Sequence, residues 1–320
     1  MARVLISRRS AVGALGLVAS GLAQRTYAQQ VPGEFRVGYQ KAGLLSVVKE
    51  QGAFERRLKP LGVESVKWSE FQLGPPMMEA LGAGAIDFGW VGDMPPIFAQ
   101  AAGTRFVYAA CMPEAQHALL VPEGSAIHSL EDIKGRKVAF ARGSSAHNVT
   151  LRLLAKAGLS YGDIVPAYLP PADASAALSR GSVDAWVVWD PLFALAERRQ
   201  KARVIATTKD IGDGNSFYVA NFDFAAKYPK ALVAAIEAVT EVTEWAARHR
   251  DKLAEAISAE IGIELDVERI AIGRTDLSVG PVTPTIIAQQ QDTAGAFQNL
   301  GLILKSILIR DAVWSPPPGD

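Results

Sequence analysis

Apolar positions along the chain fall into two kinds of run that alternate. Short unbroken ones, such as FRVGYQ and KVAFA, have strand length. Longer ones carry their apolar residues three and four apart, the spacing of one helix face. In the first half this predicts a strand at about 35–40, a helix at about 44–59 and a strand at about 64–70. A short helix at about 76–82, a strand at about 86–91 and a helix at about 95–102 follow. The second half repeats the order, with strands at about 137–141, 164–169 and 183–188 and helices at about 146–157, 172–180 and 191–200. Strands that are apolar throughout and alternate with helices predict mainly parallel sheets covered on both faces. From about 225 to 258 the chain becomes Ala- and Glu-rich with helical periodicity. A further helical segment opens on Thr283-Pro284, a cap and first-turn pair.

The two halves also repeat at the level of residues. With Gly84 set against Gly181, an offset of 97, Ala80 matches Ala177, Leu81 matches Leu178, Asp87 matches Asp184 and Asp93 matches Asp190. Each copy opens with Pro and a short helix, turns at a Gly, runs through an apolar strand and stops at an Asp just ahead of Pro. Two such units predict an α/β protein of two lobes, one from 33–116 plus 221–320 and the other from 117–220. The chain then passes between lobes twice, near 112–120 and near 215–224. Two passages make a hinge, whose obvious use is to close on something.

Composition narrows the class. Hydrophobic residues make up 49% and charged residues 21% of the 320, as in a globular protein with a large core. The lone cysteine, Cys111, excludes an intramolecular disulfide and lies in an apolar run, where an inert buried thiol is expected. Residues 1–28 have the layout of a secretory signal: a basic head, a short apolar stretch, and small residues before a cut after Ala28. Arg8-Arg9 fits a twin-arginine leader and equally an ordinary export leader. The leader carries four of the 33 basic residues and no acid, so 29 basic against 33 acidic residues remain, a net charge of −4. That balance offers no electrostatic footprint for nucleic acid. Any bound anion must be held locally.

Ligands of parallel α/β sheets bind beyond the carboxyl ends of the strands. Asp93 and Asp190 sit at such ends, either as helix caps alone or as caps that also line the cleft. Asp87 and Asp184 sit at strand starts, where a turn or cap role is expected. The strongest local signal is ARGSSAHNV. A strand ends, Gly143 turns the chain, and Ser144 or Ser145 caps a helix whose first N–H groups, with two hydroxyls beside them, can hold an anion. YQKAG occupies the equivalent place in the first half and supplies the Gln40 amide. His147 is either a contact in that site or a packed histidine. His117, His128 and His249 are scattered and suggest no metal site. Trp90 and Trp186 read as core, and Trp189 as a cleft wall. Asp93, Asp190 and His147 could serve a hydrolase or transferase, but no nucleophile, metal motif or cofactor fingerprint accompanies them, so a non-enzyme is expected.

RVGYQKAG, WSEFQLGPPMMEALGAGAIDFGWVGDMPPIFAQAAG, LEDIKGRKVAFARGSSAHN and YLPPADASAALSRGSVDAWVVWDP closely resemble the aliphatic-sulfonate-binding proteins. These are periplasmic receptors of ABC importers in the nitrate/sulfonate/taurine group. The likeness runs on through TPTIIAQQQ and RDAVW. It implies a two-lobed type II periplasmic binding protein, monomeric and free of cofactor and metal, that hands a small organic anion to a permease in the inner membrane. By position it implies ligand contacts at Gln40, the Gly92-Asp93 corner, Ser144, Ser145, His147, Trp189 and Asp190. The chain departs from the group at Asp93, where Glu is usual, at Ser145-Ala146-His147-Asn148 and at Asn215-Ser216-Phe217-Tyr218. Nitrate and a thiamine-precursor pyrimidine therefore stand as alternative ligands. A sulfonate has three acceptor oxygens and no proton to give, so neutral donors suit it. Asp93 and Asp190 must then be tied up elsewhere or meet an amine.

Overall fold

The computed structural model describes residues 31–212 and 214–316; the leader read in residues 1–28 lies outside the described residues. The chain opens with β1 (Glu34–Tyr39), α1 (Leu44–Glu50), α2 (Ala53–Leu58), β2 (Ser65–Glu70), α3 (Gly74–Gly82), β3 (Phe88–Val91), α4 (Met94–Ala101) and β4 (Phe106–Pro113). The second half runs β5 (His117–Val121), β6 (Lys137–Phe140), α5 (Ser145–Lys156), β7 (Val165–Tyr168), α6 (Pro171–Ser179), β8 (Ala185–Trp189), α7 (Leu192–Gln200) and β9 (Arg203–Thr207). Then follow β10 (Asn215–Asn221), α8 (Phe222–Lys227), α9 (Pro229–Arg248), α10 (Arg250–Ile261), α11 (Leu265–Arg274) and α12 (Pro284–Asn299). None of these helices is long and apolar enough to cross a membrane.

Two five-stranded sheets form, one ordered β2-β1-β3-β10-β4 and the other β7-β6-β8-β5-β9. Each is mainly parallel, as expected, with one strand reversed. β10 runs antiparallel to both β3 and β4, and β5 antiparallel to both β8 and β9. The reversed strands are those by which the chain enters a sheet from the other one. The first passage, residues 114–116, links β4 to β5 and falls within the expected 112–120. The second lies between β9 and β10, at 208–214, earlier than the expected 215–224. All of β10 pairs within the first sheet, whereas the second lobe expected to run to residue 220 takes in its first six residues. YVAN had no signal of its own to separate a hinge from a strand. The single helix expected at 44–59 is also divided. Gly52, at φ +60, adopts the left-handed conformation between α1 and α2.

The repeat has a mechanical meaning at the strand starts. The Asp87 N–H donates to the Arg36 carbonyl while its carboxylate accepts from the Arg36 N–H at 2.8 Å and pairs with the guanidinium. In the second sheet the Asp184 N–H donates to the Lys137 carbonyl and its carboxylate accepts from the Lys137 N–H, again at 2.8 Å. Each aspartate thus locks the third strand of its unit to the first. Their structural role is therefore a cross-strand tie rather than the expected turn or cap, and it lies at the strand starts.

Cores lie on both faces of each sheet. Phe35, Phe54 and Phe88 pack edge-to-face and tilted beneath α1, α2 and α9, while Met77, Ile97, Tyr108 and Phe297 fill the other face of the first sheet. The second sheet is faced by α5 on one side and by α6 and α7 on the other. Cys111 is buried with its Sγ toward the Gly280 and Pro281 carbonyls, and burial pushes the thiol up to about 11, which keeps it protonated.

Candidate functional site

The ends of both sheets that carry the carboxyl termini of the parallel strands face one small pocket. Gln40 follows β1, Gly92 follows β3 and Glu114 follows β4. From the second sheet come Trp189 at the end of β8, His117 at the start of β5, and Ser144 and Ser145 beyond β6. Trp90, Ala115 and Ser216 also line the wall. Five of the eight residues singled out from the sequence therefore meet here: Gln40, Gly92, Ser144, Ser145 and Trp189.

The start of α5 is built to leave donors open. Gly143, at φ +72, turns the chain out of β6. Ser144 occupies the cap position, but its hydroxyl donates to the Ala141 carbonyl at 2.8 Å and caps nothing. The His147 N–H returns to the Ser144 carbonyl at 3.0 Å. The N–H groups of Ser145 and Ala146 have no hydrogen bond among the described residues, and they lie at the positive end of a 12-residue helix. Opposite them, the Gln40 carboxamide spends one N–H on the Trp90 carbonyl at 3.3 Å and has a second to give. No Lys or Arg lines this pocket.

His117 was read as unremarkable and proves to be part of the wall. Its Nδ1–H donates to the Ala115 carbonyl at 2.8 Å and its Nε2 lies 2.8 Å from the Ser145 hydroxyl. Burial lowers the ring to about 4, so at neutral pH Nε2 is the acceptor and Ser145 the donor. Glu114 lies 3.7 Å from the same nitrogen. Trp90, expected in the core, packs against it and also lines the pocket, because β3 ends one residue later. Trp186 is core as expected, 2% exposed. A strand-end position was the only signal that could have moved Trp90 and His117 onto the candidate list.

Three expected contacts lie elsewhere. His147 is fully buried, its ring stacked on Phe140 and edge-on to Phe297, with Nε2 3.2 Å from the Tyr161 hydroxyl. Its Nδ1 accepts from the Gly143 N–H at 3.4 Å, and the ring does not line the pocket. Asp93 is buried and does not cap α4. Its carboxylate accepts from the Asn148 amide at 2.5 Å, tying the first lobe to α5, and Gln290 donates to its carbonyl at 2.6 Å. Burial and the neighbouring Glu114 hold its carboxyl well above the usual range. Asp190 does act as a cap, accepting from the Ala194 N–H at 3.0 Å, and its other contact is Arg274 at 3.4 Å. It faces a neighbouring cavity, not the pocket.

Gly92 marks how closely the lobes approach. A Cβ placed there would come within 3.2 Å of the Ser145 Cβ and Oγ. With the Asp93–Asn148 bond beside it and His147 against Phe297 in α12, the two sheets are held together around the pocket.

Known proteins share this fold. A model of the NMT1-like family matches residues 36–261. A relative in Escherichia coli (strain K12), named for binding aliphatic sulfonates, is 37% identical over 293 residues, 90% of this chain and 91% of its own. The crystal structure of the periplasmic aliphatic sulphonate binding protein SsuA from Escherichia coli superposes with a TM-score of 0.82 at 36% identity, covering 91% of this chain and 94% of that one. The alkanesulfonate-binding protein SsuA from Xanthomonas axonopodis pv. citri, bound to MOPS, gives a TM-score of 0.84 at 35% identity, covering 89% of this chain and 99% of that one.

Proposed function

This chain belongs to the NMT1-like family, alongside its aliphatic-sulfonate-binding members, and from that premise we propose that it is a periplasmic receptor for an aliphatic sulfonate. It binds the ligand between its lobes as a monomer and delivers it to an ABC permease. The first lobe moves against the second about residues 114–116 and 208–214. Gln40, Gly92, Ser144, Ser145 and Trp189 line the site, and catalysis has no part in the reading.

The observation that carries the reading is the open start of α5 facing Gln40 across a pocket without cations. A sulfonate stays ionised at every physiological pH and accepts through three oxygens. The Ser145 and Ala146 N–H groups, the Ser145 hydroxyl and the Gln40 amide supply uncharged donors from both lobes. Trp189 and Trp90 offer apolar walls for the carbon chain. Closure brings the two sets of donors together, so binding and closure reinforce each other.

Isothermal titration with butane-1-sulfonate, nitrate and an aminomethyl pyrimidine tests the assignment. A dissociation constant near 1 μM needs only about 8 kcal/mol, which a few charge-assisted hydrogen bonds and one aromatic wall provide. The expected result is heat with the sulfonate alone. Binding of nitrate or the pyrimidine with no sulfonate binding would overturn it.

A further inference from the structure

A second cavity adjoins the anion pocket and shares Trp90 and Ala115 with it. Its far wall comes from α10 and α11, and most of its lining is apolar, including Met112, Leu253, Ile272 and Leu277. Two carboxylates break that lining, Asp190 from the end of β8 and Glu268 from α11, 7% and 1% exposed. Asp190 Oδ2 and Glu268 Oε2 are buried and have no hydrogen-bond partner, and the same is true of Trp90 Nε1 on the shared wall. Arg274 meets Asp190 at 3.4 Å but gives its shorter contact, 2.6 Å, to Glu197.

Buried carboxylate oxygens without partners are costly. An apolar chamber that keeps two of them has an electrostatic demand its own residues do not meet. A cation or a strong hydrogen-bond donor on an incoming chain would meet it, and the anion pocket next door fixes where that chain begins. Trp189 in one pocket and Asp190 in the other are consecutive, as nearly are Gln40 and Ala42, and Trp90 and Ala115 line both, so the two cavities are neighbours.

We propose that this chamber is a tail subsite for a protonated amine, so that the receptor selects zwitterionic sulfonates whose ammonium sits against Glu268 and Asp190. The subsite rests on the sulfonate reading for the placement of the head group. Its own evidence is the pair of buried carboxylate oxygens without partners, Asp190 Oδ2 and Glu268 Oε2, in one chamber. Burial raises Asp190 to about 6, with Glu197 adding to the shift, and burial with Asp190 beside it raises Glu268 to about 7; a bound ammonium would draw both back down.

Titration of the protein with butane-1-sulfonate and with 4-aminobutane-1-sulfonate at pH 7.5 decides the matter. The amino compound is expected to bind at least tenfold more tightly, and in Glu268→Gln the ratio should collapse toward one. Equal affinities in the natural protein, or a preference that survives Glu268→Gln, would overturn the subsite and leave the two carboxylates as a pair sharing a proton. If neither sulfonate binds, it is the sulfonate reading that fails. Butylammonium chloride then tests the chamber by itself. Binding lost in Glu268→Gln supports it, and no binding in the natural protein overturns it.

Discussion

Ser145 stands where three demands meet. Its N–H is open at the helix start, its hydroxyl donates to His117, and its Cβ faces Gly92 from the other lobe. A bound sulfonate competes with His117 for the hydroxyl proton. Ser145→Ala keeps the backbone donor and removes one charge-assisted bond, worth about 1.5–3 kcal/mol. Sulfonate affinity measured by titration should fall about ten- to a hundredfold with the fold intact. An unchanged affinity would place the anion away from Ser145. At this scale the sequence showed Gly143, Ser144 and Ser145 clearly, because a turn residue followed by hydroxyls before an apolar helix is a local pattern. Glu268 and His117 had no such pattern. Their roles come from residues 78 positions before Glu268, at Asp190, and 28 after His117, at Ser145, and only folding brings those pairs together.

The lobes meet where the starts of α4 and α5 face each other, and Gly92 sets the distance between them. Gly92→Ala adds a methyl 3.2 Å from the Ser145 Cβ and Oγ, tighter than side chains ordinarily pack, so one lobe must give way. The substitution should shift small-angle scattering toward a more open form in the presence of sulfonate and weaken binding about tenfold. Full closure at unchanged affinity would show that the contact relaxes without cost. The elements themselves were unevenly legible. Six strands and the helices between them were legible from the repeated alternation of strand-length runs with helical spacing, even where a strand such as β2 (SVKWSE) is partly polar. β4, β5, β9 and β10 were not assigned, although FVYAACMP and HALLV are apolar runs themselves, because they fall outside the strand–helix alternation and pair antiparallel with strands far along the chain. The break between α1 and α2 rests on one left-handed glycine inside an otherwise helical pattern.

Titration behaviour belongs to the molecule as a whole, because its buried groups pull in opposite directions. His117 and His147, both lowered to about 4 by burial, contribute stability that is present above 6.5 and lost as pH falls through 4. Asp190 and Glu268 are raised to about 6 and 7, so their contribution is present below the ordinary carboxylate range and lost as pH rises through those values. Removing one ionisable carboxyl should therefore show only on the alkaline side. Glu268→Gln is expected to raise the thermal midpoint at pH 8 by a few degrees and to change little at pH 4, read by calorimetry without ligand. A loss of stability at pH 8 would mean that ionised Glu268 is well served in the free protein. The two-lobed plan was the most legible feature of all, since duplicated strand–helix units with matching aspartates repeat at an offset of 97. What the duplication could not convey is that equivalent aspartates part company. Asp87 and Asp184 keep the same task, whereas Asp93 reaches across to Asn148 and Asp190 turns to α7 and Arg274.

An anion held by neutral donors is the claim on which the rest depends, and a cation in a neighbouring cavity offers its alternative. Arg152 lines a separate cavity with Asp93 and Asn148, its guanidinium donating to the Ile211 and Gly212 carbonyls at 2.6 and 2.7 Å. A crystal structure with butane-1-sulfonate distinguishes the two sites directly. The account predicts sulfonate oxygens within hydrogen-bonding distance of the Ser145 and Ala146 N–H groups and the Gln40 amide. A sulfonate found on Arg152, with the start of α5 left open, would contradict it.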